Sequence, residues 1–199
     1  MKDEIMTKRK SKIERKTNET DITVELNLDG KGCYEIDTGV GFFDHMLTHL
    51  SKHSKIDMTV KAKGDLHIDD HHTIEDVGIC IGEALVKALG DKKGIARYGD
   101  SAVPMEDAKA VVTVDLSGRP FLVYRADFPS EKIGEFDVEC VEEFLRSFST
   151  VGKFNLHAEV PYGANSHHIA EAIFKALGQA IGMAVKVTGT DIPSTKGVL

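Results

Sequence analysis

Two short strings constrain this chain more than anything else in it. Asp69 to Asp76 reads DDHHTIED and runs into an apolar segment, Val77 to Leu89; Ser166 to Glu171 reads SHHIAE and runs into a second, Ala172 to Val185. In each case two adjacent histidines are followed, three residues after the second, by a glutamate at a helix start. A helix beginning near His71 puts His71 and Glu75 one turn apart on one face and turns His72 about 100° away. Adjacent histidines therefore reach different ions rather than sharing one, and the same holds for His167 and His168. Imidazole and carboxylate together suit Mn, Zn, Fe, Co or Ni. A capped helix with polar surface residues explains one copy; two copies in register point to metal.

The order of elements repeats around these strings. Ile13 to Thr17, Ile22 to Leu28, Cys33 to Ile36 and Ile56 to Ala62 alternate as strands, with a helix at FFDHMLTHLSKHS and another behind the first motif, closed by Gly90. The second half predicts strands at Ile95–Tyr98, Ala108–Leu116, Phe121–Ala126 and Phe154–Val160, and helices at Phe136–Phe148 and behind Ser166, which stands in N-cap position. Leu66-His67 ahead of His71 parallels Leu156-His157 ahead of His167, and the His45 helix parallels the one carrying Glu143. The expected fold is α+β: residues 1–92 and 93–199 are two copies of a β-sheet with two helices on one face, helices sandwiched between two sheets in one catalytic domain.

Around the motifs lie further candidates. His45, His49 and His53 recur at i, i+4 and i+8, one line along a helix, with Asp44 placed to orient an imidazole. Glu19 sits between two strands, as a solvated turn residue or one reaching into a pocket. Arg97, Arg119, Lys175 and the run Ser194-Thr195-Lys196 suit a small phosphorylated ligand, although each alone reads as a surface cation. The formal net charge of −7 and the lack of a basic motif argue against nucleic acid; the Lys8-Arg9-Lys10 cluster belongs to a solvated N-terminal arm, and residues 1–10 are expected to be loose. No apolar run approaches 20 residues, so no membrane span is expected. Cys33, Cys80 and Cys140 show no paired spacing, which with no signal-like segment predicts a cytoplasmic protein.

The strings RKT with Glu19-Thr20, TGVGFFDHML, DDHHTIEDVG, RYG with VPM, DLSGRP, SHHIAEAIFKA and PSTKGVL occur here in that order. Through them the chain resembles the imidazoleglycerol-phosphate dehydratase family from Ile13 to Leu199. The resemblance implies a duplicated fold of the ribosomal protein S5 domain 2-like kind and a homo-oligomer of 24 subunits with active sites between subunits. It implies two Mn²⁺ ions per site, held by His45, His71, His72, Glu75, His167, His168, Glu171 and a residue of the Glu143 helix. The family often has histidine where this chain has Glu143, whose oxygens still suit Mn²⁺. Substrate contacts implied are Glu19, His45, His49, His53, His71, Glu75, Arg97, Arg119, His167, Lys175, Ser194, Thr195 and Lys196. The implied reaction removes water from D-erythro-imidazole glycerol phosphate to give imidazole acetol phosphate in histidine biosynthesis, with the ring stabilised as an imidazolate by two Mn²⁺. Glu19 and Glu171 are the acid/base candidates. The phosphatase domain fused to this enzyme in some bacteria has no room here, so a monofunctional form is expected. The alternatives are a dinuclear metal-dependent hydrolase or phosphatase acting on a small phosphate ester, and an assembly protein stapled by metal.

Overall fold

In the computed structural model, residues 9–199 are described. The first half comprises β1 (Lys10–Lys16), β2 (Thr20–Asn27), β3 (Tyr34–Asp37), α1 (Gly41–Ser54), β4 (Asp57–Gly64) and α2 (His71–Leu89). The second comprises β5 (Tyr98–Met105), β6 (Ala108–Asp115), β7 (Phe121–Arg125), the small hairpin β8 (Lys132–Ile133) and β9 (Phe136–Asp137), α3 (Glu139–Gly152), β10 (Asn155–Tyr162) and α4 (Ser166–Ala184). The sheets have orders β1-β2-β4-β3 and β5-β6-β10-β7. In both, the last-named pair is parallel and the rest antiparallel. The α+β duplication expected from the repeated order of elements is therefore present strand for strand.

Alternation builds each sheet. Along β2, Ile22, Val24 and Leu26 are buried while their neighbours face outward, and along β6 Ala108, Ala110, Val112 and Val114 do the same. α2 lies on the first sheet and α4 on the second, while α2 packs on α3 and α4 on α1, so the helices form a layer between the sheets. Phe144 of α3 fixes the middle of that layer. Its ring stacks on Phe174 of α4 at 5.3 Å and meets Phe43 of α1 edge-on at 5.4 Å. The two halves thus share one core.

Both cross-half helix pairs run parallel and use one device. A Cβ on Gly178 of α4 would stand 2.9 Å from the Leu50 carbonyl oxygen and 3.0 Å from His53 Cβ of α1. A Cβ on Gly82 of α2 would stand 3.0 Å from the Phe148 carbonyl oxygen and 3.1 Å from Val151 Cβ of α3. Leu50 and Phe148 occupy the same place in their helices, as do His53 and Val151. The register that superposes the halves is thereby fixed: His45 corresponds to Glu143, His71 to His167 and Glu75 to Glu171.

Three local expectations are corrected. The strand at Ile95–Tyr98 does not form. Arg97 takes a φ of 72°, which breaks an extended run, and Ile95 makes only an isolated bridge to Val187. The strand that does form, β5, contains Gly99 and Pro104, which its edge position tolerates. The helix expected from Phe136 starts at Glu139, because Phe136 pairs with Ile133 in the β8–β9 hairpin. Arg9 is no free arm: it binds Asp29 and donates to the Val185 carbonyl, and Lys10 opens β1. The other residues expected to be loose, 1–8, lie outside those described.

Candidate metal and substrate site

The helix starts that carry the two motifs are built differently. At α2, the Asp69 side chain accepts from the His71 amide at 2.9 Å. At α4 the cap is Asn165, whose side chain accepts from the amides of His167 and His168; Ser166 instead hydrogen-bonds Ser130. Asp44, expected to orient a histidine, accepts from the Thr38 amide and hydroxyl and so fixes the turn into α1.

Where α1 crosses the start of α4, one ligand atom each from His45, His167 and Glu171 lie within 4.8 Å of one another. His45 Nε2 is 2.8 Å and His167 Nε2 3.0 Å from Glu171 Oε1. Lys175 Nζ donates to the other carboxylate oxygen at 2.6 Å, and His49 Nε2 lies 3.2 Å from His45 Nε2. Burial alone raises the pKa of Glu171, but Lys175, His45 and His167 outweigh it and hold the carboxyl well below the usual carboxylate range. Burial pushes His49 down to about 4, against the pull of Glu171, which leaves it neutral at neutral pH. His53 continues the line, its ring 5.9 Å from that of His49. Phe42 packs edge-on against His167 at 5.2 Å and meets Phe136 at 5.0 Å, walling one side of the cluster.

This donor set fits a divalent cation. Two imidazoles and one carboxylate converge, the carboxylate is anionic, and the second histidine of each motif faces elsewhere. The His167 and His168 rings are inclined at 83°, and those of His71 and His72 at 88°. Each turned-away ring has a carboxylate on Nδ1: Asp65 Oδ2 at 3.0 Å from His72, and Asp107 Oδ1 at 2.5 Å from His168. The hydrogen bond to Asp65 raises the pKa of His72, and that from His168 lowers the pKa of Asp107. Neither aspartate was evident from motif spacing; each lies at a turn, and the fold alone brings it to an imidazole.

The remaining residues occupy other places. His71 and Glu75 start α2, Glu143 lies on α3, and the two glutamates make no side-chain hydrogen bond or ion pair among the described residues. The triad Glu143, His71 and Glu75 corresponds position for position to His45, His167 and Glu171, yet among the described residues only the latter converges as a possible ion site. Glu19 is exposed in the β1–β2 turn, 3.9 Å from His72 Nδ1. Arg97 forms a two-pronged ion pair with Asp115 and donates to the Pro193 carbonyl at 2.9 Å, so it holds the segment leading to Ser194, Thr195 and Lys196 against the second sheet. Arg119 follows the nearby turn at Gly118, which touches the chain end at Leu199. These cations cluster at the Asp115 end of β6, whereas Asp107 and His168 mark its other end. Seven steps of about 3.3 Å separate the two ends by roughly 23 Å.

Known proteins agree with the geometry. The family model for imidazoleglycerol-phosphate dehydratase matches residues 38–181. The imidazoleglycerol-phosphate dehydratase of Ruegeria pomeroyi is 58% identical over 194 residues, covering 96% of this chain and 100% of that protein. The one of Desulforudis audaxviator is 55% identical over 192 residues, covering 96% and 98%. Among solved structures, imidazoleglycerol-phosphate dehydratase from Staphylococcus aureus superposes with a TM-score of 0.82 at 40% identity, covering 90% of this chain and 99% of that one. The Pyrococcus furiosus protein, solved in complex with (S)-C348, superposes with a TM-score of 0.83 at 37% identity, covering 94% and 100%. With the repeated fold, the paired histidine motifs and matches spanning nearly its whole length, the chain belongs to the imidazoleglycerol-phosphate dehydratase family.

Proposed function

We propose that the chain removes water from D-erythro-imidazole glycerol phosphate to give imidazole acetol phosphate, using two Mn²⁺ ions per site. The observation that carries this reading is the convergence of His45, His167 and Glu171 across the α1–α4 seam. The corresponding triad Glu143, His71 and Glu75, with His72 and His168, supplies the rest of the donor set. Held by these residues, Mn²⁺ would supply a Lewis acid for the nitrogens of the substrate ring.

The chain's own side chains handle position and protons. Loss of the C2 proton and the C3 hydroxyl, with one proton added to the hydroxyl, leaves a C2–C3 enol and one water. The enol then gives up its hydroxyl proton and gains one at C3, becoming the ketone. Glu19 suits the proton work, because its carboxylate is exposed on a turn and makes no side-chain hydrogen bond among the described residues. Glu171 is pinned by Lys175 and two histidines, which suits a ligand better than a proton carrier. His49 and His53 extend the face beside it and give a planar ring something to lie against.

The phosphate needs Arg97, Arg119, Ser194, Thr195 and Lys196. These lie roughly 23 Å from the His168 end of the same sheet, farther than the glycerol chain of this substrate spans. A working site therefore takes its cations from one chain and its histidines from another, in keeping with an assembly of 24 subunits. The three unpaired cysteines and a biosynthetic reaction suit the cytoplasm.

The test is an assay of protein stripped of metal and refilled with Mn²⁺. Formation of imidazole acetol phosphate with no release of inorganic phosphate supports the dehydratase. Release of inorganic phosphate instead points to a phosphatase.

A further inference from the structure

We propose that Asp65 and Asp107 are positioning residues that aim the second histidine of each motif, and that Asp65 frees Glu19 from this task so that its carboxylate can meet substrate. The proposal rests on the dehydratase reading for what Glu19 does, but not for what the two aspartates do.

The argument comes from superposing the halves. Asp107 stands one residue before β6 and Glu19 one residue before β2, so the two carboxylates hold the same place in their sheets. Asp65 stands one residue after β4, where the second half has Gly163 one residue after β10. The second half uses its turn carboxylate: Asp107 accepts from His168 Nδ1 and also from the Ala164 amide. The first half uses its loop carboxylate instead: Asp65 Oδ2 is 3.0 Å from His72 Nδ1, while Glu19 Oε2 stays at 3.9 Å, outside hydrogen-bond reach. The exchange has a steric basis on the other side. A Cβ on Gly163 would meet Ile169 Cγ1 at 2.5 Å and Ala108 Cβ at 3.1 Å, so no side chain fits there.

Two details tie Asp65 to this task. Its other oxygen, Oδ1, is buried without a hydrogen-bond partner among the described residues, so His72 is what compensates the carboxylate's loss of water. Meanwhile Glu19 sits on a turn that is firmly anchored. Thr17 Oγ1 accepts from the Glu19 and Thr20 amides, and Asp76 accepts from the Thr20 hydroxyl and from Arg15. The backbone under Glu19 is fixed, while its carboxylate makes no side-chain hydrogen bond among the described residues and only a 3.9 Å contact with His72. A carboxylate on Nδ1 fixes the tautomer, so that Nε2 carries the lone pair and the ring is held at one angle.

The experiment measures Mn²⁺ affinity on the stripped full chain by competition with a chelating dye, beside turnover of the Mn²⁺-loaded protein. Asp65→Asn and Asp107→Asn are each expected to weaken Mn²⁺ binding about 10- to 100-fold. Glu19→Gln is expected to keep wild-type affinity while turnover falls about 100-fold or more. Because Asp65 acts through His72, adding Asp65→Asn to His72→Ala should cost no further affinity; this comparison separates positioning from a general loss of structure. Wild-type affinity in Asp65→Asn, or a loss of affinity in Glu19→Gln matching that in Asp107→Asn, overturns the proposal. A wild-type protein that binds Mn²⁺ but does not dehydrate the substrate overturns the functional reading instead, and the affinities still decide the role of the aspartates.

Discussion

His45 Nε2 meets Glu171 Oε1 at 2.8 Å across the seam between α1 and α4, and the same oxygen receives His167 at 3.0 Å. One carboxylate oxygen therefore joins a helix of the first half to a motif of the second. Glu171→Gln keeps the shape but removes the charge that Lys175 and the histidines gather around. Bound Mn²⁺ per chain, measured by elemental analysis, should fall, and turnover should drop by about 100-fold or more. Full metal content in this variant would remove Glu171 from the ligand set.

The glycines at the helix crossings give a stability test that does not depend on chemistry. In an open helix, Gly→Ala gains up to about 1 kcal/mol. At Gly82 the new methyl would stand 2.8 Å from the Gly152 amide nitrogen and 3.0 Å from the Phe148 carbonyl oxygen, and backbone yields poorly. Overpacking of this kind costs about 1–3 kcal/mol, so Gly82→Ala should lower the thermal midpoint by several degrees. Gly178→Ala, at the matching place, should do likewise; a rise in either midpoint would show that the helices part at little cost.

Asp57 predicts a pH effect with a definite sign. Burial raises its pKa, but the amides of Lys31 and Cys33 at 2.8 and 2.9 Å and the Asn27 side chain at 3.0 Å outweigh this and hold it below the ordinary value. A carboxyl whose folded pKa is depressed contributes stability above its unfolded value of about 3.9, and that contribution is lost as pH falls through the folded value. Asp57→Asn should therefore be less stable at pH 7 by about 1–2 kcal/mol and should lose less than the wild type on acidification. Denaturant titrations at pH 7 and near pH 3 measure both.

Arg97 is the strut for the last ordered segment. Arg97→Ala removes its bond to the Pro193 carbonyl and its pair with Asp115. Amide exchange over residues 190–199 should quicken, the thermal midpoint should fall because Asp115 loses its partner, and KM should rise about tenfold while Mn²⁺ content stays unchanged.

Much of the architecture could be read from the chain because each half repeats simple periods. The alternation of Ile22, Val24 and Leu26 gave a strand facing a core, and the histidine-to-glutamate spacing gave two helix starts, each with a histidine and a glutamate on one face. What escaped lies where backbone geometry overrides pattern. Arg97 sits at a φ of 72° and ends the strand its neighbours suggest, and Asn165 took the capping role expected of Ser166. Asp65 and Asp107 were silent because a turn carboxylate has no periodicity; only the fold brings each to an imidazole. Glu143 illustrates a different limit. Its correspondence to His45 follows from helix register, yet among the described residues its side chain makes no hydrogen bond or ion pair that the sequence could have foreshadowed.

The separation of cations and histidines along β6 has a genetic consequence. Suppose one allele encodes Arg119→Ala and another His168→Ala, each inactive alone. In the proposed assembly, particles that contain both kinds of subunit would include junctions where an intact arginine end faces an intact histidine end. Such hybrids should regain activity, with the fraction set by how the two chains are shuffled, and the rescue should vanish when both changes are placed on one chain.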